Sequence, residues 1–226
     1  MGYTTSMNFL VIANFKSNLT KEQVQSWLTA VKPVAGMVIA PSFLHLPLFS
    51  HLSPSLSLCA QDVSPFPVGS YTGAVNATQL LDYGVKYAIV GHSERRRYFH
   101  ETPADIASKI KELLAVGITP LVCLERNQIA PQFALLDDDL IDNSLFCFEP
   151  SADIGGTTIA PISLIKEVVA EIRSFAPSSK VIYGGSVTPD NVSQLLPLGL
   201  NGVLVATASL DPASFLSIIR ECSHVG

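Results

Sequence analysis

Short apolar and β-branched runs alternate with longer amphipathic stretches along all 226 residues of the chain. The apolar runs fall at 9–14, 37–40, 56–61, 87–92, 120–124, 145–149, 180–184 and 202–206. Runs this short and this continuously apolar suit strands covered on both faces. Between most of them, apolar positions recur at helical spacing, and several of these stretches open with N-cap chemistry. Thr20 precedes Gln23 by three residues, a capping-box pattern. Thr102, Thr188 and Asp211 are each followed by proline, the residue tolerated at the first helical position, so each predicts a helix start.

Repeated β–α alternation implies parallel strands joined by right-handed crossovers. An open doubly wound sheet and a closed barrel both satisfy that pattern. Eight units, with no GxGxxG after the first strand, favour an α/β fold of the (β/α)8 TIM-barrel type, with 1–226 as a single domain. The weakest stretch is 125–144. There the fifth helix is short and interrupted by Pro131, and the acidic run 137–139 reads as a solvated loop, which predicts a trimmed fifth βα unit.

Composition narrows the function classes. The chain is 48% hydrophobic and 15% charged, with a net charge of −5. The one basic run, Arg95-Arg96-Arg97, is too short to track a nucleic-acid backbone, so no nucleic-acid partner is expected. A small anionic ligand stays compatible, since it needs one or two cations and some backbone N–H groups. Cys59, Cys123, Cys147 and Cys222 lie far apart and show no metal-binding spacing. Three of them sit in apolar runs, where free cysteine acts as a small core residue. No stretch of 18 apolar residues and no basic-then-apolar leader occurs, so a reduced, cytoplasmic protein without a membrane partner is expected. The start Met1-Gly2-Tyr3-Thr4-Thr5-Ser6 fits a myristoylation pattern that is too short to weigh much.

In a barrel of this kind, chemistry gathers where strands end at their C-termini. Those positions hold Asn14 and Lys16, then His92-Ser93-Glu94, then Glu149, then Gly184-Gly185-Ser186. Alone, each has a duller reading: a solvated lysine, a core histidine, an ion-pair carboxylate, a tight turn. Unrelated causes would not set all four at successive strand ends. Together they supply a base, an imidazole, a cation and a phosphate cradle, which suits proton abstraction beside a carbonyl on a phosphorylated substrate.

Four segments carry a family resemblance: Ala13-Asn14-Phe15-Lys16, Val90-Gly91-His92-Ser93-Glu94-Arg95-Arg96, Phe148-Glu149-Pro150 and Tyr183-Gly184-Gly185-Ser186-Val187. They resemble the signatures of triosephosphate isomerase, in that family's order, with weaker agreement from Gln61, Tyr71-Thr72-Gly73 and the stretch 204–210. That family is a known case of pKa tuning, in which a carboxylate base works beside a histidine kept neutral by a helix N-terminus. The resemblance implies interconversion of dihydroxyacetone phosphate and D-glyceraldehyde 3-phosphate, with Glu149 as the base and His92 as the neutral electrophile. Lys16 and Asn14 would stabilise the enediolate, and Glu94 would orient Lys16. It further implies phosphate binding by Gly155, Ser186, Gly184, Gly185, Ala206 and Thr207, and an apolar clamp of Ile154 and Leu204 under a lid at 150–161. Thr72 would reach into a partner subunit, giving a homodimer. Neither a metal nor an organic cofactor is implied.

Several positions depart from the family pattern. Ser151, Ala152 and Asp153 follow Glu149-Pro150 where an apolar residue and a tryptophan are usual, and the lid is about one residue shorter. Ala206-Thr207 replaces two glycines, so crowding of the phosphate is expected. Ala74 stands where an acidic partner for Arg95 is common. Other readings are a different phosphate-binding barrel enzyme and a non-catalytic barrel that kept the dimer.

Overall fold

The computed structural model describes residues 9–49, 56–150 and 156–223. Eight parallel strands close on themselves in sequence order. They are β1 (Leu10–Asn14), β2 (Met37–Ala40), β3 (Ser57–Ala60), β4 (Val85–Val90), β5 (Thr119–Leu124), β6 (Leu145–Phe148), β7 (Val181–Tyr183) and β8 (Gly202–Val205). Closure comes from β1 pairing with β8, Ile12 opposite Leu204 and Ala13 opposite Val205. Gly202 is required at that seam, because a Cβ there would stand 2.4 Å from the Leu10 carbonyl oxygen.

Alternation along the strands divides the apolar side chains into two cores. Ile12, Val38, Cys59, Ile89, Leu121, Cys123, Leu145, Cys147, Ile182 and Leu204 form one cluster inside the barrel. Val11, Ile39, Val90, Val122, Phe146, Val181 and Val203 join the outer cluster beneath the helices. The fold therefore needs strands that are apolar on both faces, which is why the runs read as continuous.

The helices are α1 (Lys21–Ala30), α2 (Ala77–Asp82), α3 (Ser93–Tyr98), α4 (Pro103–Ala115), α5 (Ile129–Phe133), α6 (Asp138–Asp142), α7 (Ile162–Phe175) and α8 (Pro212–Cys222). On α7 the buried residues are Ile165, Val168, Val169 and Ile172, a stripe at i, i+3, i+4 and i+7. Each such side chain contributes about 1.5–3 kcal/mol of burial. Thr20 caps α1 and Thr102 caps α4, each in a complete capping box, and Asp211 caps α8. Trp27 of α1 packs edge-on to Phe15, and its indole N–H donates to the Ser209 carbonyl at 2.9 Å.

Two expectations need correction. Thr188-Pro189 does not open an α-helix. Residues Val192–Gln194 and Leu196–Leu198 form two 3-10 turns, because Pro197 has no N–H to extend a helix and Gly199 turns out at φ 69°. Asn191 braces the segment, accepting from the Thr188 N–H at 2.9 Å and donating to the Ser186 carbonyl at 2.8 Å. Nor is the acidic run 137–139 a loop. Asp137 accepts from the Leu140 N–H at 3.0 Å and caps α6, whose first turn holds Asp138 and Asp139. The fifth unit is trimmed as expected, to two helices of five residues each. Pro131 lies in the first turn of α5, where its missing N–H costs no helical bond.

Candidate active site

The C-terminal mouth of the barrel holds a cleft of about 310 Å³ whose walls include Asn14, Lys16, His92, Glu94 and Glu149 on one side. Gly156, Thr157, Gly184 to Thr188, Leu204 and Ala206 to Ala208 complete it. Every candidate within the described residues except Thr72 reaches this one cavity. Gly155 and Ile154, like the lid residues Ser151, Ala152 and Asp153, lie outside the described residues.

Strand parity explains how the groups arrive. Residues 10, 12, 14 and 16 share one parity, as do 145, 147 and 149, and the inward side carries Ile12 and Cys147. Asn14 and Glu149 thus extend inward-facing rows past the last apolar layer. His92 does not follow this rule, since Ile89 faces inward and 92 has the opposite parity. Gly91 resolves it. At φ 67° it reverses the chain, and His92 becomes the N-cap of α3 with its ring in the cleft. A Cβ at Gly91 would also meet Arg96 at 2.7 Å and Ile106 at 2.8 Å.

Lys16 is held in the left-handed region at φ 48°, a conformation costing about 1–2 kcal/mol for a residue with a Cβ. Its N–H donates to Asn14 Oδ1 at 3.0 Å, and its carbonyl accepts from Gln61 Nε2 at 2.9 Å. Gln61 also donates to the Ala40 carbonyl at 2.8 Å, so one amide ties the first loop to β2. The Lys16 ammonium donates to Glu94 Oε1 at 2.8 Å. With its oxygen occupied by Lys16, Asn14 offers its amide nitrogen to the cleft.

The imidazole is fixed from both sides. His92 Nδ1 accepts the Glu94 backbone N–H at 3.2 Å, and Glu94 Oε2 stays farther away at 3.6 Å. That leaves the proton on Nε2, which lies 3.2 Å from Glu149 Oε1. The other oxygen of Glu149, Oε2, accepts the Ser93 backbone N–H at 3.0 Å. Glu149 is 2% exposed, a carboxylate that accepts one backbone N–H and faces the His92 ring. The pattern of strand ends includes Ser93 but assigns it no contact with Glu149. Its place in the first turn of α3, where N–H groups lack helical partners, was the available signal.

Two glycines shape the floor. A Cβ on Gly184 would stand 2.6 Å from Cys147 Sγ and 3.1 Å from Glu149 Cγ. On Gly185 it would meet the Tyr183 hydroxyl at 2.1 Å, and that hydroxyl accepts the Ala160 N–H at 2.9 Å. Leu204 is buried in β8, and Thr207 is exposed at the rim. Ala206 has φ −97°, and Thr207 also lies outside the left-handed region, so neither position needs the positive φ that favours glycine.

Beside the cleft, burial pushes the Cys123 thiol well above its usual range, with hydrogen bonding to Cys147 and the charge of Glu149 adding to the rise. Burial also raises Cys147. The Arg96 guanidinium is lowered by burial, and it donates to the carbonyls of Gly91 at 2.7 Å and Cys123 at 3.1 Å. Arg95, which lacks an acidic residue at 74, pairs instead with Asp62 at 2.8 Å and with Glu101. Lys109 joins the same cluster through Asp62 at 2.6 Å and Glu101.

Thr72 stands apart from the cleft, exposed on the third loop. Among the described residues no helix is long and apolar enough to cross a membrane.

Comparison with known proteins agrees with this geometry. The family profile described as Triosephosphate isomerase matches residues 9–222. A triosephosphate isomerase of Ehrlichia chaffeensis is 34% identical over 97% of this chain and 99% of its own length. Those of Polynucleobacter asymbioticus and Thermus thermophilus are 35% and 33% identical, each over 93% of the chain and 98% and 97% of their own lengths. A closed eight-stranded barrel with lysine, histidine and glutamate at its mouth, matched over nearly its whole length, belongs to the triosephosphate isomerase family.

Proposed function

We propose that this chain interconverts dihydroxyacetone phosphate and D-glyceraldehyde 3-phosphate by moving one proton between neighbouring carbons. The observation that carries the reading is the contact between His92 Nε2 and Glu149 Oε1 at 3.2 Å. Base and electrophile would then lie side by side at the mouth of the barrel. A substrate carbonyl would take the Nε2 proton as its hydrogen-bond donor, releasing Oε1 to abstract the proton from the adjacent carbon. The enediolate oxygens would then lie among His92 Nε2, the Asn14 amide nitrogen and the Lys16 ammonium, donors fixed before the reaction starts. Glu149 returns the proton to the neighbouring carbon, so no cofactor is consumed.

The phosphate end of the substrate would fit the opposite wall, formed by Gly184, Gly185, Ser186, Ala206 and Thr207. Gly155, Ile154 and Leu204 would close over it from the lid and β8. A coupled assay of both directions on the wild type and Glu149→Gln tests the reading. Turnover is expected in the wild type and a loss of about 10²–10⁴-fold in the variant, the usual contribution of a general base. Well-folded wild-type protein with no turnover would overturn it.

A homodimer formed through the loop around Thr72 is part of the same proposal. Phe66, Val68, Tyr71 and Phe99 are 47%, 70%, 42% and 65% exposed, and Phe66 stacks on Tyr71 at 4.5 Å. Phe66, Tyr71 and Phe99 flank a groove of about 630 Å³ lined also by Thr72, Arg95 and Lys109. Apolar exposure of this kind around a groove marks an association surface. The four free cysteines suit a cytoplasmic setting. Sedimentation velocity across a concentration series is expected to report a dimer, and a monomer at all concentrations would remove this part.

A further inference from the structure

Directly beneath the cleft floor, Cys123 Sγ, Cys147 Sγ and a carboxylate oxygen of Glu149 all lie within 4.8 Å of one another. The two cysteines are far apart in sequence, but β5 pairs with β6 so that Cys123 stands opposite Cys147. Both are 0% exposed. We propose that these three side chains form a binding site for a thiophilic divalent cation, which inhibits the enzyme by capturing its catalytic carboxylate.

The donor set selects the ion. Two thiolates and one carboxylate are ligands for a soft or borderline metal, and tetrahedral bonds of about 2.3 Å set sulfurs about 3.8 Å apart. The present spacing needs to shorten by about 1 Å at most to reach that geometry. As the metal–sulfur bonds form, each thiol gives up its proton to solvent, leaving three negative charges against two positive. The residual charge faces the Arg96 guanidinium, which already donates to the Cys123 carbonyl at 3.1 Å. A monovalent ion would leave twice that uncompensated charge.

His92 does not complete the sphere. Its Nδ1 accepts from the Glu94 N–H, so Nε2 keeps its proton and has no lone pair to give. The fourth position falls to water. The proposed entry is at Gly184, which lines the cleft and separates it from Cys147 Sγ by backbone alone. A metal on one Glu149 oxygen draws that oxygen from its present neighbour, Ser93 N–H or His92, and the carboxylate is then lost as a base. Inhibition rests on the isomerase reading, whereas metal binding does not.

The test uses cadmium(II) on the full-length reduced protein, following the thiolate-to-metal charge-transfer band and isomerase turnover together. One cadmium per chain is expected to saturate the band, with turnover falling about 10²-fold or more as the general base is withdrawn and returning on addition of a chelator. Cys123→Ala and Cys147→Ala should each weaken binding by more than the about 10–100-fold that loss of an outer-sphere partner costs. Cys59→Ala and Cys222→Ala should leave the band unchanged. A one-equivalent band that survives both Cys123→Ala and Cys147→Ala overturns the proposal, as does its absence from the wild type. If those variants do not fold, X-ray absorption on the wild-type complex decides: two sulfur neighbours support the site, and one or none removes it. Protein with the band but no turnover in any condition would refute the isomerase reading and leave the site standing.

Discussion

His92 Nε2 and Glu149 Oε1 stand 3.2 Å apart, so the imidazole edge and the buried carboxylate face each other across the cleft. In the proposed reaction the substrate carbonyl takes the place of that contact. His92→Gln is expected to lower kcat by about 10²–10³-fold, the usual cost of losing one oxyanion donor, with a smaller change in KM. Steady-state kinetics in both directions check it, and an equal rise in KM with unchanged kcat would contradict the assignment.

Glu94 lines the cleft and pairs with Lys16 there, through the 2.8 Å contact to Nζ. Glu94→Gln keeps a hydrogen-bond acceptor but loses the charge, so it should reduce kcat/KM less than Lys16→Met does. Lys16→Met removes the cation and is expected to impair both substrate affinity and kcat. Inhibitor binding by calorimetry with inorganic phosphate separates the two, since only the lysine variant should lose most of its affinity.

Gly184→Ala would set a Cβ 2.6 Å from Cys147 Sγ and 3.1 Å from Glu149 Cγ. Overpacking of this order costs about 1–3 kcal/mol. Thermal unfolding is expected to show the loss, and the double variant with Cys147→Ala should recover much of the stability. Activity should recover less, because the contact with Glu149 remains.

Asp105 belongs to the capping box of α4, accepting from the Thr102 N–H at 2.9 Å and the Thr102 hydroxyl at 2.7 Å. These bonds hold its carboxyl below the ordinary aspartate value of 3.8. A folded-state value below the unfolded one gives stability that is present above the unfolded pKa and lost as pH falls through the folded pKa. Asp105→Asn should therefore destabilise the protein by about 0.5–1 kcal/mol at neutral pH, a cap-sized effect at a partly exposed position. The difference from wild type should shrink below pH 3.8. Urea melts at neutral pH and in acid below that value measure it, and a difference that does not change with pH would contradict the cause given.

Local signals in the sequence determined the strand count, the barrel class, three capped helix starts and the lysine, histidine and glutamate that meet in one cleft. Each rests on a run of neighbouring residues: continuous apolar strands, Thr20 with Gln23, and Gly91-His92-Ser93-Glu94 in sequence. Pattern reasoning erred where short-range cues competed. Thr188-Pro189 resembles a helix start, yet Pro197 and Gly199 permit only 3-10 turns, and Asp137 in an acidic run proved to be a cap. The tertiary structure alone decided which distant residues meet. Closing the barrel brings Lys16 to Glu94, Ser93 to Glu149, Arg95 to Asp62 and Cys123 to Cys147. No spacing along the chain encodes those contacts, because strand register and crossover geometry, rather than residues near in sequence, bring the pairs together.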